Sequence, residues 1–248
     1  MKKMVGIMLL LCSIMPFTAC TSTEDEPYKP ETEQPSDDPN NNEEEDNDTT
    51  PVYGHLTTAN TVSDVVNHEA FNGFGRFILP AERSYNDNMT LQNVASMLPY
   101  HNYITGERAV ETINTMVDYV HDGNTLFYDI YSDADKQADS RKNNTGLFFF
   151  RGEPGKPFAI VCPGGGFSYV GAIHEGFPLA IALSKMGYNA FSIQYRTGGA
   201  QVACEDLAGA IDFIMRHAEE LQVSTDDYSL WGGSAGARMA AYLGSYGT

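Results

Sequence analysis

Residues 125–248 carry apolar positions in two alternating rhythms. Short, nearly unbroken apolar runs read as strands: Thr125–Tyr131 (TLFYDIY), Gly146–Arg151 (GLFFFR), Pro157–Pro163 (PFAIVCP), Tyr188–Arg196 (YNAFSIQYR) and Asp227–Gly232 (DYSLWG). Each is too short for a helix and rich in aromatic or β-branched residues. Between the later runs the spacing turns helical. Helices are expected over Gly176–Met186, over Glu205–Leu221 with Leu207, Ala210, Ile211 and Ile214 on one face, and over Ala235–Gly244. The polar stretch Ser132–Thr145 reads as a hairpin-type connector. Antiparallel strands followed by repeated βα units predict an α/β fold, a mostly parallel sheet with helices on both faces.

Residues 53–123 have a different texture. Gly106–His121 is a helix by periodicity, with Val110, Ile113, Met116, Val117 and Val120 recurring and Gly123 as a stop. Thr90–Leu98 reads as a short helix, and His68–Pro80 is irregular and aromatic. Gly73-Phe74-Gly75 lacks the third glycine of a dinucleotide fingerprint and reads as a loop.

The first 52 residues fit neither pattern. Residues 1–19 carry Lys2 and Lys3, then the apolar run Met4–Phe17, which is signal-peptide organisation. The apolar run is too short for a transmembrane span. Phe17-Thr18-Ala19-Cys20 resembles a bacterial lipoprotein signal, which implies lipid on Cys20 and residence in the cell envelope as an outer-membrane lipoprotein. Phe17 departs from the small aliphatic residue usual there. Residues 20–52 form an acidic tether. Positions 21–52 hold twelve Asp or Glu against one Lys. Such a segment cannot bury enough surface to offset its ordering entropy, and as a coil it would span roughly 30 Å. Thr21-Ser22-Thr23-Glu24-Asp25-Glu26 is similar to the acidic export signals of Bacteroides-type surface lipoproteins. Both the periplasmic and the surface-exposed face of the membrane stay open.

Charge and cysteines narrow the function classes. The chain has a formal net charge of −18, much of it in the tether, and no basic patch able to neutralise phosphates, so nucleic acid is excluded as a partner. Cys162 and Cys204 are the cysteines left for the folded part and read as buried free thiols rather than a disulfide framework. No Cys/His cluster has zinc spacing, so no metal site is assigned. The sequence assigns no oligomeric state.

Two segments carry chemistry. Gly232-Gly233-Ser234-Ala235-Gly236 fits G-x-S-x-G, with an apolar strand before it and a helical pattern after it. That context suits a sharp strand-to-helix turn presenting Ser234 as a nucleophile, with glycines giving the turn room. Ile160–Phe167 is a strand opening into Gly164-Gly165-Gly166. No Lys-Ser/Thr follows at P-loop spacing. Backbone N–H groups that a glycine lets approach closely can instead hold the oxyanion of acyl transfer.

With CPGGGF, the strand ending in Tyr195-Arg196, the helix near Asp206 and LWGGSAGARMAA in view, residues from about 125 to 248 resemble the α/β-hydrolase superfamily, in its esterase/lipase branch with a Gly-rich oxyanion loop of the acetyl or feruloyl esterase type. The resemblance implies Ser234 as nucleophile and the N–H groups of Gly165, Gly166 and Ala235 as oxyanion hole. The usual His-Gly-Gly-Gly is Pro163-Gly164-Gly165-Gly166 here. No cofactor is implied. The expected substrate is a small-molecule or carbohydrate ester. Residues 53–123 lie outside the pattern and would cap the site as a lid, flank it, or serve only as packing. Residues 124–248 would be the N-terminal part of the hydrolase core.

The resemblance also implies a catalytic acid and then a histidine after the serine. All six histidines (His55, His68, His101, His121, His174 and His217) precede Ser234. His174 most nearly follows the loop but reads as a flank of the next helix, His217 as surface, and Asp206 and Asp212 as solvated or capping. No base or acid is assigned. The expectation is the front part of a longer hydrolase with its C-terminal strands missing, inactive by itself. Two alternatives remain: a serine peptidase of the same fold and an inert, surface-anchored binding protein.

Overall fold

The computed structural model describes residues 54–80, 82–83, 85–97 and 103–247; the signal-like segment, the tether, Cys20 and His101 lie outside these. Five strands form one sheet: β1 Phe127–Tyr128, β2 Gly146–Phe150, β3 Pro157–Cys162, β4 Asn189–Gln194 and β5 Ser224–Gly232. Their order is β1-β2-β4-β3-β5. β2 is antiparallel to both β1 and β4, while β3 is parallel to β4 and to β5. Four of the five strands therefore point the same way, as the βα rhythm predicts.

Side-chain alternation along β2 shows how the sheet is covered. Phe148 and Phe150 meet Phe177 of the helix Phe177–Lys185, with ring centroids 4.6 and 6.1 Å apart. Phe149, pointing the other way, stacks on Phe191 at 4.2 Å and meets Tyr128, which in turn meets Phe213 of the helix Ala200–Arg216. Successive strand residues face opposite sides, so these helices cover opposite faces of an α/β layer fold.

The local predictions differ from the structure at several ends. Gly106–His121 is helical over the expected residues, with Thr105 capping it by accepting from the N–H of Arg108. The short helix expected over Thr90–Leu98 is a 3-10 helix, Leu91–Met97. The hairpin-type connector holds a capped helix, Asp133–Ala138, and a 3-10 turn, Ser140–Asn144. Its Ser132 and Asp135 form a reciprocal capping box, a helix-start signal within a polar stretch. β1 is two residues long, and the helix Ala200–Arg216 starts five residues before the predicted Glu205.

β5 begins earlier than expected, and this changes the edge. Its pairing with β3 shifts from Pro157↔Ser224 to Phe158↔Tyr228, so Thr225, Asp226 and Asp227 bulge outward and are exposed. The edge of the strand therefore carries charge over its first half, a known protection against edge pairing. Leu230 is buried, and Phe158 stacks on Tyr228 at 5.0 Å.

Asp206 departs from its expected role. It is fully buried rather than solvated or capping. Its carboxylate accepts from the Arg196 backbone N–H at 2.6 Å, from Arg196 Nε at 3.0 Å and from the Tyr131 hydroxyl at 2.7 Å. Arg196 also pairs with Asp139 at 2.9 Å. Hydrogen bonding from Arg141, and then the nearby Arg196 charge, hold the Asp139 carboxyl far below the usual carboxylate range. Asp206→Ala would leave Arg196 paired with Asp139 and Glu205 but remove the acceptor of its buried N–H and of the Tyr131 hydroxyl; the expected loss is about 1–3 kcal/mol, read as a lower urea midpoint.

The N-terminal extension shares the core of the sheet. Leu56, Val62, Phe71, Leu91, Ile113 and Met116 belong to the same apolar cluster as β2, β3 and β4. Phe74 stacks on Phe127 at 5.0 Å and meets Phe148 at 5.8 Å, and the Tyr119 hydroxyl accepts from the Arg151 N–H. Burial pushes the Tyr119 phenol up to about 12. These contacts flank the sheet. Residues 124–248 expressed alone would expose the ring faces of Phe127 and Phe148, and aggregation is the expected result. A monodisperse 124–248 fragment on size exclusion would contradict this packing.

Candidate active site

The strand-to-helix turn forms where G-x-S-x-G predicts it. β5 ends at Gly232, and the helix Ser234–Tyr246 starts at the serine itself. Ser234 has φ +49°, a left-handed value that non-glycine residues adopt only when the surroundings hold them there. Its neighbours leave no room for side chains. A Cβ on Gly232 would sit 2.6 Å from the carbonyl carbon of Gly236, and one on Gly236 would overlap the carbonyl of Cys162. Ser234 is exposed, and Ala235 lies buried behind it. The Ala235 N–H belongs to the first helical turn, whose donors lack intrahelical partners.

The glycine loop sits against this turn. A Cβ on Gly164 would be 3.1 Å from the Ser234 Cβ and 3.1 Å from the Gly233 carbonyl oxygen. Three successive peptide planes define the loop. In the first, the Pro163 carbonyl accepts from the Tyr195 hydroxyl at 2.8 Å, while the Gly164 N–H donates to Glu175 Oε2 at 2.6 Å. In the second, the Gly164 carbonyl accepts from Gly171 N–H. In the third, the Gly165 carbonyl accepts from the N–H groups of Ser168 and Tyr169. A trans peptide points its N–H opposite to its C=O. With both carbonyls turned into the loop, the N–H groups of Gly165 and Gly166 point out of it. Among the described residues no acceptor takes them. Gly165 has φ +140° and Gly166 φ +62°, values that favour glycine.

The remaining candidates fall elsewhere. His174 lies in a π-turn, Ala172–Gly176, before the next helix and is buried, as its reading as a flank predicts. His217 is half-buried and stacks on Phe213 at 4.3 Å, so it is not a bare surface residue. Cys162 and Cys204 are free. Burial pushes the Cys162 thiol far above its ordinary value, and a thiol held protonated is a poor nucleophile. In the folded protein Cys162 should resist iodoacetamide at pH 8 and react only after denaturation; rapid native alkylation at this position would contradict its burial. Among the described residues no group of three or more His, Cys, Asp or Glu could hold a metal ion, and no helix is long and apolar enough to cross a membrane.

Sequence reasoning missed Glu175. Its carboxylate lies between the loop and the turn, bonded to the Gly164 N–H and 2.9 Å from where a Gly233 Cβ would stand. It follows the loop by nine residues within Ala-Ile-His-Glu-Gly, and nothing in that local pattern marks it. Arg238, one turn beyond Ser234, lies over the Phe167 ring at 5.6 Å. Arg238 and Phe167, with Cys204, Met239, Tyr242 and Leu243, line a cavity of about 660 Å³ beside the loop.

Residues 151–248 match the BD-FAE family model. Similar solved structures include the apo form of esterase 2 from Thermogutta terrifontis, 26% identical over 39% of this chain and 40% of that chain, with a TM-score of 0.37. The same esterase phosphonylated by cyclosarin is 25% identical over 39% and 40%, also at 0.37. A sugar hydrolase from Lactococcus lactis is 26% identical over 40% of this chain and 42% of that chain, again at 0.37. The chain thus spans about two fifths of the length of these structures. No curated protein matches it.

Proposed function

We propose that the protein is a serine hydrolase of carboxylic esters. Ser234 Oγ attacks the ester carbonyl carbon, and its proton passes to a base. The N–H groups of Gly165, Gly166 and Ala235 hold the oxyanion. Collapse expels the alcohol and leaves an acyl-enzyme, which water hydrolyses to free acid and Ser234. The observation that most supports this reading is the pair of outward-turned loop N–H groups beside a strained serine. The BD-FAE match over residues 151–248 adds to it.

No base or orienting acid is assigned within residues 1–248. Losing a base can cost about 10⁶ in kcat, so this chain alone should hydrolyse p-nitrophenyl acetate at near-background rate. Rapid turnover that depends on Ser234 would overturn that part of the reading. The substrate class we favour is an acetyl or feruloyl ester on plant polysaccharide or its oligosaccharides. A panel of acetylated and feruloylated oligosaccharides against peptide substrates tests this. Preference for peptides would favour a peptidase, and no turnover by any assembly containing this chain would favour an inert binding protein.

We further propose that lipid on Cys20 anchors the protein in the outer membrane. Cys20→Ala should abolish incorporation of radiolabelled palmitate and release the protein from the membrane fraction. Retention of label in that variant would place the lipid elsewhere.

A further inference from the structure

We infer that Glu175 is a positioning residue that sets the aim of the oxyanion-loop donors by tying the loop to the nucleophile turn; this rests on the hydrolase reading above. The Pro163–Gly164 plane is held from both sides, by the buried Tyr195 hydroxyl on its carbonyl and by Glu175 on its N–H. A plane fixed at both polar ends cannot rotate. The next two planes carry the outward N–H groups of Gly165 and Gly166; their own carbonyls are held by the N–H groups of Gly171, Ser168 and Tyr169, and the fixed first plane anchors this stretch to the nucleophile turn. A charge-assisted bond of 2.6 Å is of the strong class.

The same carboxylate reaches the other half of the site. Oε2 lies 2.8 Å from a Cβ built on Gly164 and 2.9 Å from one built on Gly233, the residue before the nucleophile. It fills the space that a side chain at either position would take. G-x-S-x-G tolerates any residue at its first x, yet glycine stands there in this chain, and Glu175 supplies a reason. The extension supports the arrangement from behind. The Tyr103 hydroxyl donates to the His174 carbonyl at 3.4 Å, and its phenol is pushed up by burial and then by the Glu175 charge. A loop and a turn that meet through one carboxylate keep the oxyanion donors and Ser234 in mutual register, where small misplacements are costly.

The test uses the full chain labelled with ¹⁵N, and an alkyl fluorophosphonate as the probe of Ser234. In the wild type, the Gly164 amide proton is expected downfield of those of Gly165 and Gly166. Glu175→Ala should move it upfield and slow phosphonylation of Ser234 by about tenfold or more, a fraction of what losing one oxyanion donor costs. Gly233→Ala offers a second route. Its φ of −109° is ordinary for alanine, and its new Cβ displaces only the mobile end of Glu175. It should keep the wild-type melting temperature and show the same two changes. Glu175→Gln, which keeps an acceptor without the charge, should recover part of both. A Gly164 resonance unmoved in Glu175→Ala, or Gly233→Ala labelled at the wild-type rate, overturns the inference. If Glu175→Ala does not fold, Gly233→Ala and Glu175→Gln decide it. Where the wild-type chain, with no base assigned, labels too slowly to measure, the Gly164 resonance alone judges the tie between loop and turn; no labelling by an assembly that supplies the base would sink the hydrolase reading instead.

Discussion

Ser234→Ala will abolish covalent capture of a fluorophosphonate at that position and, in an assembly that supplies the base, lower ester turnover by about 10⁶-fold. The expectation follows from how the serine is held. Its φ of +49° places the side chain at the exposed end of β5, at the start of a helix and against the glycine loop. Strain of this kind costs of order 1–3 kcal/mol and persists only where the surroundings enforce it. Here they do, because Gly232 and Gly236 let β5, the helix and the end of β3 approach without side chains between them. Removing one oxygen leaves that backbone intact, so the variant should fold as the wild type does. The measurement is mass-spectrometric detection of a Ser234 phosphonate adduct. An adduct formed equally well in the alanine variant would place the nucleophile on another residue.

Gly236→Val tests the scaffold rather than the chemistry. A Cβ at Gly236 would overlap the Cys162 carbonyl oxygen and lie 2.6 Å from its carbon and 2.9 Å from the Pro163 carbonyl oxygen. All of these are backbone atoms at the buried end of β3, where no flexible side chain can give way. The helix must move off the sheet, or β3 must bend. Overpacking usually costs about 1–3 kcal/mol, and a clash with fixed backbone should reach or exceed the top of that range. The same movement would carry Ala235 and the loop apart, so fluorophosphonate labelling should fall along with the urea midpoint. Gly123→Ala is the control. Its Cβ meets nothing within 4 Å, and its φ of +83° costs only the strain of a left-handed residue, about 1 kcal/mol. Gly236→Val within about 0.5 kcal/mol of wild type, the range of innocuous substitutions, would show that the helix and β3 are not in the contact described.

Much of this architecture was legible along the chain. Each predicted strand in residues 125–248 has a counterpart, and Gly106–His121 is helical end to end, because burial on a sheet or helix face imposes a period that local spacing reports. Errors cluster where a polar stretch hides structure. Ser132–Thr145 contains a capped helix with no buried residue, so no apolar period announces it. The early start of β5 at Ser224 leaves no local mark because the bulge at Thr225–Asp227 depends on pairing with Pro157 and Phe158, far away in sequence.

The site divides along the same line. The turn at Ser234 and Ala235 and the loop at Gly165 and Gly166 are visible as two short motifs, since a strand-to-helix turn and a glycine loop are made by neighbouring residues. Asp206 and Glu175 could not. Asp206 looks like an ordinary helix acid until Arg196 and Tyr131, ten and seventy-five residues away in sequence, close on it. Glu175 looks like a polar residue in a turn until the loop folds back and brings Gly164 and Gly233 to its carboxylate. Backbone conformation and amphipathic period are local properties and leave a trace in consecutive residues. The partner of a buried charge is set by chain crossings over long separations, and no run of neighbours records it.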